Sequence, residues 1–183
     1  MFDPNLHYGE DLDWFMRARE KNIIIANIPQ FSLTYRLHPG GMTYGKKIPE
    51  LNVVSVLKKS LDRRRQQQKT PQLFQPIITQ QQSLISVIIP AYNAAKYLVE
   101  SINSVVTQSY SPFEIIVVDD GSKDATAQIA AQFGTQIRYF RQDNAGAGAA
   151  RNRGVEMAHG HWLGFLDADD VWEPDKLAVQ MDV

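Results

Sequence analysis

Ile85-Ser86-Val87-Ile88-Ile89-Pro90-Ala91-Tyr92-Asn93 is the stretch on which the fold turns. Ile85 to Ile89 is an almost unbroken β-branched run stopped by a proline, the pattern of a strand buried on both faces of a parallel sheet. Downstream, Leu98, Ile102, Val105 and Val106 recur at helical spacing, and a second apolar run, Ile115 to Val118, stops at Asp119-Asp120-Gly121. Ser122 or Asp124 is placed to cap a helix reaching about Phe133, and Ile137 to Phe140 supplies a third strand. A helix opens near Gly146 to Ala150 and runs to about Ala158, before a fourth strand, Trp162 to Leu166, ends at Asp167. Strands alternating with helices of this length predict βαβ units with right-handed crossovers, hence an α/β fold with a mainly parallel sheet.

Upstream the composition changes twice, so three segments are expected: 1–45, 46–83 and 84–183. Residues 1–45 mix acids, aromatics and short apolar runs. Gly9-Glu10-Asp11-Leu12-Asp13-Trp14 opens a helix with Leu12, Phe15 and Met16 on one face and its acids at the end where the helix dipole favours them. In 46–83, Val54, Leu57 and Leu61 share one helical side, with Lys58, Lys59, Arg63, Arg64 and Arg65 elsewhere, followed by Gln66–Gln68 and Gln80–Gln82. That reads as a basic helix and a Gln-rich linker. A cationic amphipathic helix is a candidate for peripheral membrane contact, although a narrow apolar side is also what a solvated charged face presents.

The 183 residues, 44% hydrophobic and 21% charged, suit a globular chain with a sizeable core. Nineteen basic against twenty acidic residues give a net charge of -1, so no global field draws the chain to nucleic acid. The absence of cysteine removes disulfide scaffolds and thiolate metal sites. No apolar run approaches the roughly 20 residues that span a bilayer, and MFDPNLHYGEDLDW lacks the blocks of a signal peptide. The expectation is a soluble, cytoplasmic protein without a transmembrane segment.

In an open parallel sheet, ligands bind beyond the carboxyl ends of the strands. Those ends are Pro90-Ala91-Tyr92-Asn93, Asp119-Asp120-Gly121-Ser122 and Asp167-Ala168-Asp169-Asp170. Five carboxylates along one sheet edge repel one another unless a cation or hydrogen-bond donors compensate. Hard oxygen ligands suit Mn²⁺ or Mg²⁺, which take one or two protein carboxylates and complete their shell with substrate phosphates. A blander reading of the same residues is open: Asp120-Gly121 as a turn, and Asp169-Asp170 as the cap of a helix near Pro174.

These motifs, with Asn144-Ala145-Gly146, Ala150-Arg151-Asn152 and Phe165-Leu166-Asp167, resemble in order and spacing the first half of the large family of inverting glycosyltransferases with the GT-A fold, over about residues 84–183. The resemblance implies a Rossmann-like GT-A nucleotide-binding half. It implies that Pro90, Ala91, Tyr92 and Asn93 line the donor pocket, with Tyr92 packing on the nucleotide base, and that Asp120, with Asp119, contacts base or ribose. It further implies that Asp167 and Asp169 form the Asp-x-Asp motif for ribose and metal, with Asp170 sharing the metal. Arg151 either approaches phosphate or pairs with a surface acid. The implied partners are a nucleotide-sugar donor, a UDP-sugar above others, and a saccharide, lipid-linked or protein acceptor, in cell-surface polysaccharide synthesis.

Phe2-Asp3-Pro4 with Gly9-Glu10-Asp11, and Tyr35-Arg36-Leu37-His38-Pro39 with Met42-Thr43, resemble the C-terminal half of the same family. There the acid matching Asp11 is the base that deprotonates the acceptor, with Glu10 its neighbour; His38 approaches the metal or is a surface-loop histidine. The halves stand in reversed order, and the segment between them in the family is missing. The chain therefore reads as the tail of one domain, a linker and the incomplete front of a second, or as two halves that pack together. Outside that family, Gly146-Ala147-Gly148-Ala149-Ala150 partly imitates a dinucleotide fingerprint, which makes an NAD-binding domain the runner-up.

Overall fold

A computed structural model describes residues 13, 14, 16, 17, 33, 34, 58, 59 and 83–182. The chain divides into two units, Met1–Asn27 with Leu37–Gln81, and Ile28–Arg36 with Gln82–Val183. In the first unit, Asp13, Trp14, Met16, Arg17, Lys58 and Lys59 are helical, and Arg17 Nε sits 2.9 Å from Asp13 Oδ2. Glu10, Asp11 and His38 lie outside the described residues. No described helix is long and apolar enough to cross a membrane.

The second unit contains strands β1 (Leu33–Thr34), β2 (Ile85–Ala91), β3 (Phe113–Asp120), β4 (Arg138–Gln142), β5 (Trp162–Phe165) and β6 (Val171–Trp172). Its helices are α1 (Leu98–Val106), α2 (Thr126–Ala131), α3 (Ala147–Met157) and α4 (Lys176–Met181). β2 to β5 form one sheet in the order β4-β3-β2-β5, parallel throughout, and β1 pairs antiparallel with β6.

The pleat of β2 divides the core. Val87 and Ile89 face a layer formed with Leu98, Ile102, Val105, Leu166 and Leu177, whereas Ile88 faces a second layer with Ile116, Val118 and Ala150. Successive strand residues point to opposite faces, so a continuous apolar run is what a sheet with helices on both sides requires. Each fully buried Ile or Val of this run contributes on the order of 1.5–3 kcal/mol. Gly154 lets α3 close on the second layer: a Cβ there would stand 2.3 Å from Ile88 Cγ2.

One local expectation is revised and two open readings are decided. Val106 is 37% exposed, because it lies about 80° round the helix from Leu98; Ser101 and Ser104 share the buried face instead. At α2, Asp124 Oδ1 accepts from Thr126 N at 3.0 Å, whereas the Ser122 hydroxyl is taken by Asn93 N. Asp169-Asp170 cap no helix: β6 intervenes, and α4 opens at Asp175.

Candidate functional site

The strand order reverses between β2 and β5, which places the switch-point crevice at their carboxyl ends. β5 ends at Phe165, opposite Ile88, while β2 runs on to Ala91. Leu166 N donates to Ile88 O, and alternate residues of a parallel strand bond alternate neighbours. The missing N–H of Pro90 therefore faces the side where β5 has stopped, and proline does no harm there. Pro90 and Ala91 are buried; Tyr92, 51% exposed, and Asn93 present the surface.

Asn93 adopts φ 49, a left-handed conformation that asparagine tolerates. Its backbone N donates to Ser122 Oγ at 2.9 Å, and its side-chain Oδ1 accepts from Lys123 N at 2.8 Å. The loop after β2 is thus sewn to the loop after β3.

Asp119 and Asp120 are adjacent but serve opposite faces of the sheet. Asp119, with no exposed surface, accepts from Ser122 N at 2.7 Å and from the Tyr139 hydroxyl at 2.5 Å, with Arg141 Nη1 3.7 Å away. Burial first, then the hydrogen bond and charge of Asp119, push the Tyr139 phenol up to about 12, against an opposing effect of Arg141. Asp120, 3% exposed, accepts from Gln142 Nε2 at 2.7 Å, Ala145 N at 2.9 Å and Gly146 N at 2.7 Å. Gly121, at φ 76, packs so closely that a Cβ would lie 2.9 Å from Asn144 N. The first amide of the glycine-rich stretch, Gly146 N, and that of Ala145 before it are therefore bonded to Asp120.

At the far side of the crevice, Arg151 Nη2 donates to Asp167 Oδ1 at 2.7 Å; the arginine side chain is 4% exposed and the aspartate 41%. Asp167 O accepts from Asp170 N at 3.0 Å, closing a turn in which Asp169 is half-buried and Asp170 buried. Arg151 thus pairs with an acid of the site itself.

Asp119, Asp120 and Asp167 all accept from donors within the chain, so hydrogen bonding meets much of the charge that sequence reasoning assigned to a cation. Among the described residues, no three His, Cys, Asp or Glu side chains converge as ligands. The oxygen-only loop Asp167 to Asp170 fits an ion that takes one or two carboxylates and otherwise water and diphosphate oxygens, and does not fit one needing a full protein cage. Sequence reasoning missed Tyr139, Arg141 and Gln142; Arg141 and Gln142 stand opposite Asp119 and Asp120, Tyr139 lies two residues before Arg141, and these polar groups along β4 were the available signal. A shallow groove of about 210 Å³ beside β5, lined by Ile85, Trp162, Leu163, Leu177 and Met181, is apolar and lies apart from these groups.

A parallel α/β sheet with acidic loops at its switch point defines a class of protein that binds its ligand beyond the carboxyl ends of the strands. Residues 86–183 match the family described as Glycosyl transferase family 2, and the chain belongs to that family. Its α/β sheet is the Rossmann-like half of a GT-A fold. An uncharacterized glycosyltransferase of Rickettsia conorii is 45% identical over 103 residues, 55% of this chain and 17% of that protein. The putative teichuronic acid biosynthesis glycosyltransferase TuaG of Bacillus subtilis is 40% identical over 109 residues, 57% of this chain and 43% of its own length. The crystal structure of S. aureus TarS superposes with a TM-score of 0.51 at 33% identity, covering 54% of this chain and 19% of TarS. The chain spans less than half the length of each.

Proposed function

We propose that residues 84–183 bind the nucleotide-diphosphate end of a nucleotide-sugar donor at the β2–β5 crevice, in an enzyme that moves the sugar to an acceptor hydroxyl with inversion. One observation carries this reading: the exposed ring of Tyr92 follows β2, and the accessible carboxylates of Asp167 and Asp169 follow the neighbouring β5. The first suits a base; the second suit a cation-bridged diphosphate.

Asp119 and Asp120 act in this reading by holding the loops around the base, since their oxygens are taken. Arg151 fixes Asp167. Asp169 is the half-exposed carboxylate that would hold Mn²⁺ or Mg²⁺, with Asp170 behind it on the turn. Such an ion, when bound, offsets the negative charge of the departing diphosphate as a Lewis acid. An inverting displacement also needs a base for the acceptor proton, and Asp11 is the candidate by family resemblance. Similarity to TuaG, named for teichuronic acid biosynthesis, supports a saccharide acceptor in cell-surface polysaccharide synthesis. A binding-only role within a tandem protein is the second reading, favoured by the donor-half motifs standing after the acceptor-half motifs.

Calorimetry with UDP tests the donor site. Affinity is expected to rise with Mn²⁺ or Mg²⁺, to fall with chelator, and to fall in Asp169→Asn far more than in Asp11→Asn. Equal affinity with and without metal would overturn the proposal.

A further inference from the structure

Helix α1 and the residues just past its end carry an unusual polar seam. Ser101 and Ser104 on α1, and Gln108 two residues beyond it, are only 1%, 7% and 8% exposed, beside the buried Leu98, Ile102 and Val105. Hydroxyl and amide groups buried this deeply are unfavourable unless hydrogen-bonded. Most of their bonds go to the backbone of one downstream segment.

Ser101 Oγ stands 2.8 Å from Ala168 O and 2.6 Å from Asp170 O, sharing its single proton between them. Ser104 Oγ accepts from Trp172 N at 3.1 Å and donates to Ser101 O at 2.7 Å. Gln108 Nε2 donates to Glu173 O at 2.7 Å and to Ser104 O at 3.0 Å, while its Oε1 accepts from Leu177 N at 2.9 Å. Asp169 is bracketed by the two carbonyls that Ser101 holds. Apolar contact is non-directional and leaves a loop free to slide, whereas hydrogen bonds impose distance and angle.

We propose that Ser101, Ser104 and Gln108 are positioning residues for the donor site: α1 templates the backbone from Ala168 to Leu177 and so fixes where Asp167 and Asp169 meet the diphosphate. This rests on the reading that the acidic loop binds the donor. The side chains touch no ligand themselves; they act through the loop backbone.

The test compares, in the full chain, Ser101→Ala and Gln108→Met with Ile102→Val, which removes one buried methyl group from α1 and leaves every hydrogen bond to the loop in place. Comparison at a denaturant level giving equal unfolded fractions removes the effect of global stability. Amide hydrogen exchange across residues 168–177 is expected to quicken by about tenfold in Ser101→Ala and Gln108→Met, the scale of one lost hydrogen bond, but not in Ile102→Val. Affinity for UDP with Mn²⁺ is expected to drop by a similar factor of about ten in the first two only. Unchanged exchange in both seam variants, or faster exchange with undiminished UDP affinity, overturns the inference. So does an equal loss in Ile102→Val. If the parent chain binds no UDP, the donor-site reading falls and the inference falls with it; the exchange data then show only whether α1 anchors the loop.

Discussion

Arg151 and Asp167 form an ion pair of unequal members: the guanidinium is 4% exposed and the carboxylate 41%, at 2.7 Å. Water reaches Asp167 readily and Arg151 hardly at all, so losing the charge-assisted bond costs more on the arginine's side. Asp167→Asn is therefore expected to lower stability by about 2 kcal/mol, and Arg151→Met, which keeps most of the buried stem, by only about 1 kcal/mol. Urea unfolding of both variants checks the order; a reversed order would contradict the unequal burial.

Tyr139 offers a spectroscopic reading of the loop after β3. Its phenol titrates at about 12 rather than the ordinary 10.0. A group with a raised pKa in the folded chain holds its proton more tightly there, so its stabilising effect is whole below pH 10.0 and is lost as the pH climbs towards 12. Ultraviolet titration is expected to show a late-ionising component that disappears in Tyr139→Phe, and that variant should lose part of the alkaline stability decline.

Asp120→Asn would turn an amide N–H₂ towards at least one of the donors now satisfied by the carboxylate, Gln142 Nε2, Ala145 N or Gly146 N. A loss of about 2 kcal/mol follows from leaving a buried donor unanswered. UDP affinity is expected to fall with it, measured where the variant is still folded.

Gly154→Ala should destabilise by about 1–3 kcal/mol through overpacking, because the new methyl meets Ile88 Cγ2 at 2.3 Å. Thermal melts of Gly154→Ala, Ile88→Ala and the pair test the contact: the double variant is expected to lose less than the sum.

Much of the sheet could be read from sequence because Ile85–Ile89 and Ile115–Val118 must be buried on both faces. β4 was harder: its alternating Arg138, Tyr139, Phe140, Arg141 and Gln142 serve the polar network as much as the core, and the strand runs past Phe140 to Gln142. The opposite placement of Asp119 and Asp120 follows from the pleat alone, yet which donors meet them depends on the crossover that brings β4 alongside. Ser101 and Ser104 read as gaps in an apolar stripe, since their partners lie more than sixty residues away for Ala168, Asp170 and Trp172. The motif residues at the ends of β2, β3 and β5 were found because strand ends are where a parallel sheet offers its loops.

The three donors received by Asp120 also decide which anions can visit α3. Ala145 N and Gly146 N, at the opening of that helix, would otherwise welcome a phosphate. The chain has installed its own carboxylate there, tethered through a buried strand end, and a linked group competes as though present at millimolar concentration or above. A free phosphate would have to displace it and leave a nearly inaccessible charge stranded. Asp120 thus works as a resident competitor at these two amides, shielding them from cellular anions.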